Sequence, residues 1–145
     1  MPESCYALES FSDMLLECKK EWRNFYPDKK LLDRLRTLSG ATPFMSRVAP
    51  ERVRCATLGS LKLEEEFIRQ FAKKNIDVVD MECSAFFSSA KHVKKKALAL
   101  FYVSDIIQKK PFYKELSPED KSRLSSSIKS GINLLCKFIE KNPTA

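Results

Sequence analysis

Histidine is almost absent from this chain, with His92 the single one. That removes the usual general base and the commonest metal ligand from nearly the whole molecule. Glycine is scarce as well: Gly40, Gly59 and Gly131 are the only three. None lies in a glycine-rich turn whose backbone N–H groups would cradle a phosphate. No apolar run approaches a membrane span in length, and the opening MPESCYALES lacks the basic-then-apolar layout of a signal peptide. The cysteines (Cys5, Cys18, Cys55, Cys83, Cys136) are odd in number and widely scattered. That pattern argues against a disulfide framework and a zinc site, and it suits a reducing, cytoplasmic setting. There is no internal repeat and no low-complexity tract.

What is present is an ordinary globular composition. The 145 residues are 43% hydrophobic, enough for one domain, 1–145, with a real core. Net charge is +7, which fits either nucleic acid or a small polyanionic substrate such as phosphate. The lysines come in scattered clusters (Lys19-Lys20, Lys29-Lys30, Lys73-Lys74, Lys94-Lys95-Lys96, Lys109-Lys110), not in a stripe interleaved with aromatics. Most fall near helix ends or loops, where solvation or a helix dipole accounts for them. A nucleic-acid interface is therefore not the favoured reading, and no membrane partner is expected.

Residues 1–27 are the least legible. Phe11, Met14, Leu15, Cys18 and Trp22 recur at three- and four-residue steps, which fits a helical segment. Asp28 to Ser39 repeats that pattern through Leu31, Leu32, Leu35 and Leu38, with Gly40 as the stop. Residues 40–52 read as a loop, and Val53 to Leu58 as a strand. Lys62 to Lys74 reads as an amphipathic helix with Leu63, Phe67, Ile68 and Phe71 inward. Ser117-Pro118-Glu119-Asp120 is a strong helix start, and Leu124, Ile128, Ile132, Leu135 and Ile139 mark the expected buried stripe of a long terminal helix. The fold class is α/β.

The organising stretch is Asn75 to Gln108. Ile76 to Val79 is a short β-branched strand ending at Asp80-Met81-Glu82, and Glu82 to Val93 has helical spacing. Ala97 to Val103 is a continuous apolar run, read as a strand covered on both faces and ending at Ser104-Asp105. Strand, helix and strand of this length predict a right-handed crossover between parallel strands. Glu82 and Asp105 are then expected at the carboxyl ends of neighbouring strands, where ligands bind in open α/β sheets. Read singly, each is more often structural: Asp80 or Glu82 as a helix cap, Asp105 as a turn residue.

Met81-Glu82 and Ser104-Asp105, each closing an apolar segment, resemble the paired motifs of the nucleoside phosphorylase and nucleosidase superfamily. The resemblance covers residues 28–141, the C-terminal half of that family's domain. It implies a truncated, three-layer-like phosphorylase fold with a central mixed or parallel sheet flanked by helices. It also implies a pentosyltransferase or nucleosidase chemistry with no cofactor, and phosphate as a candidate co-substrate. Glu82 would take the ribose hydroxyls, Met81 would pack on the sugar, and Asp105 would deliver a proton to N7 of a purine. Ser104 would support Asp105, and the Ser-Asp pair leans the substrate toward a purine nucleoside or base.

Phe112 and Tyr113 read as a base-stacking wall or as loop anchors. Lys121 and Arg123 lie near where some relatives place a basic residue paired with the acid. Gly59 and Ser60 occupy a stretch that lines the base pocket in relatives, with a poor residue match. His92 reads as a surface residue and Cys83 as a packed thiol. The phosphate-gripping half of the family has no counterpart in these residues, so a homo-oligomer or a completing chain is expected, not least to cover the edge of a half-sheet. Two further readings stay open: a non-catalytic phosphorylase-fold module that binds nucleoside or a partner, and a basic α/β domain that binds nucleic acid.

Overall fold

The computed structural model describes residues 1–8, 23–40, 52–60, 64–107, 109–111 and 113–142. These group into two compact units. The first is Met1–Asp33 with Glu51–Ala99, and the second is Arg34–Pro50 with Leu100–Ala145.

The first unit is built on a four-stranded mixed sheet. Its strands are β1 (Pro2–Leu8), β2 (Arg23–Phe25), β3 (Val53–Leu58) and β4 (Val78–Asp80), in the order β2-β1-β3-β4. β2 runs antiparallel to β1, whereas β1–β3 and β3–β4 are parallel. Among the described residues, three helices begin in this unit: α1 (Lys29–Gly40), α2 (Glu64–Lys74) and α3 (Cys83–His92). α1 continues into the second unit.

Alternation along β3 assigns a helix to each face. Ala56 and Leu58 cluster with Phe71 of α2, with Tyr6, Leu8, Phe67, Ile76 and Val79 packed around them. Cys55 and Thr57 point the other way, and the Thr57 hydroxyl accepts the Ser84 N–H of α3 at 2.8 Å. Residues 55–58 are therefore all buried, as expected for a parallel strand covered on both sides. α3 lies against β1, β2 and β3, and its buried face is Cys83, Ser84, Phe87 and Ser88. Three of those four are small, which lets the helix approach the sheet closely.

Helix ends follow the local sequence. Asp28 caps α1, its Oδ1 accepting the Leu31 N–H at 2.9 Å. α2 and α3 both close with a left-handed residue after the last turn, Asn75 at φ 51 and Lys94 at φ 55. At each, the next N–H reaches back five residues: Ile76 to Phe71 O at 2.9 Å and Lys95 to Ala90 O at 2.8 Å. Asparagine is a common choice for that conformation and lysine is not.

The second unit contains the long helix α4 (Pro118–Lys141). Its cap is the one read from the sequence: Ser117 Oγ accepts the Asp120 N–H at 3.1 Å, with Pro118 in the first turn.

Three expectations need correction. Ala97–Val103 is not a strand, so the parallel crossover falls one element earlier, at β3–α2–β4. Ala97 is buried, but its carbonyl accepts the Asp28 N–H at 2.8 Å, tying the chain to the start of α1. Tyr102 and Val103 are exposed. A continuous apolar run has no period and does not by itself specify a strand.

The N-terminal segment 1–27, read as helical, opens with β1 and closes with β2; the helix pattern Phe11–Trp22 falls outside the described residues. On α4 the buried residues are Leu134 and Phe138, while Ile132, Leu135 and Ile139 are exposed. The buried face is turned roughly 100° from the expected stripe. Gly131 lies between the two faces, where a Cβ would make an ordinary 3.6 Å contact with Leu100 Cδ2.

Candidate functional site

The turn between β4 and α3 is held by one carboxylate. Asp80 Oδ1 accepts the Thr57 hydroxyl at 2.6 Å and the Cys55 thiol at 3.3 Å. Its Oδ2 accepts the Cys83 N–H at 2.6 Å and the Glu82 N–H at 3.3 Å. Thr57 in turn accepts from the Ser84 N–H, so two free N–H groups at the start of α3 are satisfied by a chain of two side chains. Asp80 caps this helix from within the strand.

That arrangement frees Glu82. It occupies the residue just before the helix, yet its side chain makes no capping hydrogen bond, and it is exposed. Met81 beside it is also exposed. The pair thus stands on a turn at the carboxyl end of a parallel strand, the expected placement, with its backbone fixed by Asp80.

Beneath the turn lies a cluster of thiols. Cys5 and Cys55 are opposite each other on adjacent strands, and Cys5, Cys55 and Cys83 are all buried. Hydrogen bonding to Cys55 and then Cys83, with burial, pushes the Cys5 thiol far above its ordinary value. Cys55 is also raised: its hydrogen bond with Cys5 pulls it down, but burial and the Asp80 charge outweigh that. Protonated, enclosed thiols are poor nucleophiles. Cys83 is a packed residue, in keeping with its reading from sequence.

The second carboxylate sits in the second unit. Asp105 is half-buried, and its Oδ1 accepts the Ser104 hydroxyl at 2.6 Å. Since Ala97–Val103 is not a strand, Asp105 does not close one. It precedes a tight loop in which Ile106 and Lys110 bridge. Glu82 belongs to the first unit and Asp105 to the second.

The remaining candidates separate. Tyr113 is exposed in the turn closed by the Lys114 N–H to Pro111 O bond, and Phe112 is outside the described residues. Lys121 pairs with Glu115 at 2.8 Å and Arg123 with Glu119 at 2.6 Å, both on exposed ground. Gly59 and Ser60 are exposed just past β3, and His92 is exposed in the last turn of α3.

Thr57 is the residue that sequence reasoning missed. A polar residue inside the run Cys55–Leu58 had to be buried with a partner, which was the available signal.

No helix among the described residues is long and apolar enough to cross a membrane. Comparison with curated proteins gives no match. The profile of the phosphorylase superfamily matches residues 20–140, most of the sequence, and the chain belongs to that superfamily.

Proposed function

We propose that this chain carries the sugar- and base-binding residues of a nucleoside phosphorylase or nucleosidase acting on purine nucleosides. The observation that supports it best is the division of labour at the β4–α3 turn. Asp80 does the capping, and the exposed Glu82 carboxylate is left to accept hydrogen bonds from the 2′- and 3′-hydroxyls of a ribose. The hydrogen bond from Ser104 to Asp105 supports the second part of the reading, in which Ser104 orients the acid.

The chemistry breaks the bond between C1′ and the base nitrogen. The bonding electron pair leaves with the base, a proton passes from Asp105 to N7, and an oxygen of phosphate or water joins C1′. The proton that this oxygen loses passes to solvent, from which Asp105 is reprotonated. Charge develops on the sugar as the base departs, so the carboxylate near its hydroxyls and the proton at N7 both act mainly in the transition state. Phosphate is the proposed co-substrate in the phosphorolytic case. None of the three glycines here forms a phosphate-cradling turn, so the grip on phosphate comes from a completing chain or from side chains of a second copy.

Isothermal titration with inosine and adenosine, followed by release of free base in phosphate buffer, tests the proposal. Glu82→Ala is expected to weaken nucleoside binding at least tenfold. Asp105→Asn is expected to leave binding largely intact while slowing base release on the order of a hundredfold or more. Nucleoside binding unaffected by Glu82→Ala overturns it. Binding lost with Glu82→Ala, but without base release, instead favours a nucleoside-binding module.

A further inference from the structure

At the other end of α3 from Glu82 lies a cavity of about 370 Å³. It falls in the size range of small-molecule sites. A helix of ten residues separates the two places, about 15 Å along its axis. The lining includes the aromatic residues Phe25, Tyr26 and Phe87 and the four lysines Lys91, Lys94, Lys95 and Lys96. Phe25 and Phe87 are buried, whereas Tyr26 is 64% exposed. We propose that this cavity binds a phosphorylated aromatic ligand of mononucleotide size, with a ring against Tyr26 and the phosphate among the lysines.

Three observations converge on it. The first is charge: four ammonium groups meet one carboxylate, Asp28, whose Oδ1 is already engaged by the Leu31 N–H. The second concerns the helix end itself, where free carbonyls would normally repel an anion. Here the carbonyls of Ser89, Ala90 and Lys91 accept the N–H groups of Val93, Lys95 and Lys94. Three of the last four carbonyls of the helix are thus engaged by its own backbone.

The third is conformational. Lys94 holds φ at 55°, a left-handed geometry that glycine or asparagine adopts far more readily. α2 closes the same way with Asn75. A lysine kept in that conformation, in the wall of a cavity, is what a charge requirement at this point would produce. Lysines at a helix end are commonly explained by the dipole, but that accounts only for residues in the last turn, not for Lys94 to Lys96 beyond it.

The test is an NMR titration of the full chain with adenosine 5′-monophosphate, following backbone amides, with adenosine, inorganic phosphate and a short single-stranded oligonucleotide as comparison ligands. Saturable shifts are expected at Tyr26 and Lys94–Lys96, with affinity at least tenfold above that for adenosine at those residues. The combined Lys94→Ala, Lys95→Ala and Lys96→Ala substitution should weaken binding at least tenfold, and Tyr26→Ala several-fold. All four side chains are exposed, so these variants should keep the wild-type amide spectrum elsewhere.

Absence of saturable shifts at these residues overturns the proposal, as does an unchanged affinity in the lysine variant. Tighter, steeply salt-dependent binding of the oligonucleotide at the same residues overturns it in favour of a nucleic-acid strand. The nucleoside site is read separately from the amides of Met81 and Glu82, so either proposal can fail without the other.

Discussion

Adjacent acids at one turn do different jobs. Asp80 is bound into the fold by four donors, and Glu82 two residues later makes no cap bond. Urea denaturation should therefore separate them sharply. Asp80→Ala is expected to cost about 2–3 kcal/mol, because it strands the Thr57 hydroxyl and the Cys83 N–H, whereas Glu82→Ala should stay within about 0.5 kcal/mol. The sequence showed that one of these acids could cap the helix, but not which. Cap choice depends on the partner strand bringing Thr57 alongside, and that contact spans more than twenty residues. Asp120 offers a pH test at the same scale. Hydrogen bonds from Lys110 and then Ser117 hold its carboxyl below the ordinary carboxylate value. With the folded pKa depressed, its contribution to stability is complete above the ordinary value of about 4 and is lost as pH falls through the lowered one. Lys110→Ala should raise the Asp120 pKa in a carbon-detected NMR titration and shrink the acid-side loss of stability.

Where elements end and which face they bury was legible wherever a short-range signal existed. The sequence marks Val53–Leu58 with its observed bounds, and α1 and α4 through Asp28, Gly40 and Ser117. The failures share a cause. Ala97–Val103 and the stripe of α4 depended on what the segment packs against, which an apolar run does not encode. Two glycine exchanges probe elements directly. Gly131→Ala should stabilise by about 0.5–1 kcal/mol, since a Cβ meets only an ordinary contact at 3.6 Å and glycine in a helix interior is costly. Lys94→Gly should stabilise by about 1 kcal/mol through relief of the left-handed backbone, while weakening the anion site. Thermal or denaturant melts check both. A Lys94→Gly protein no more stable than the parent would mean that the lysine makes compensating interactions at the helix end.

For the whole molecule, the sheet limits what the chain does alone. Its outer strands, β2 and β4, are three residues each, and β4 has no second strand partner among the described residues. Short edges discourage random pairing yet leave room for a specific one. Light scattering at micromolar concentration is expected to show a dimer or larger, and a monodisperse monomer would remove the second copy from the proposed mechanism. The buried sulfurs have a practical consequence of their own. Cys5, Cys55 and Cys83 are enclosed in the first unit, and Cys136 is open on the second. An alkylating reagent followed by peptide mapping should modify Cys136 within minutes and the three buried thiols only when the sheet unfolds, with Cys18 lying outside the described residues. The chain thus carries a native chemical stopwatch: the rate at which those three sulfurs surrender measures the opening of the first unit, residue by residue and with no probe attached.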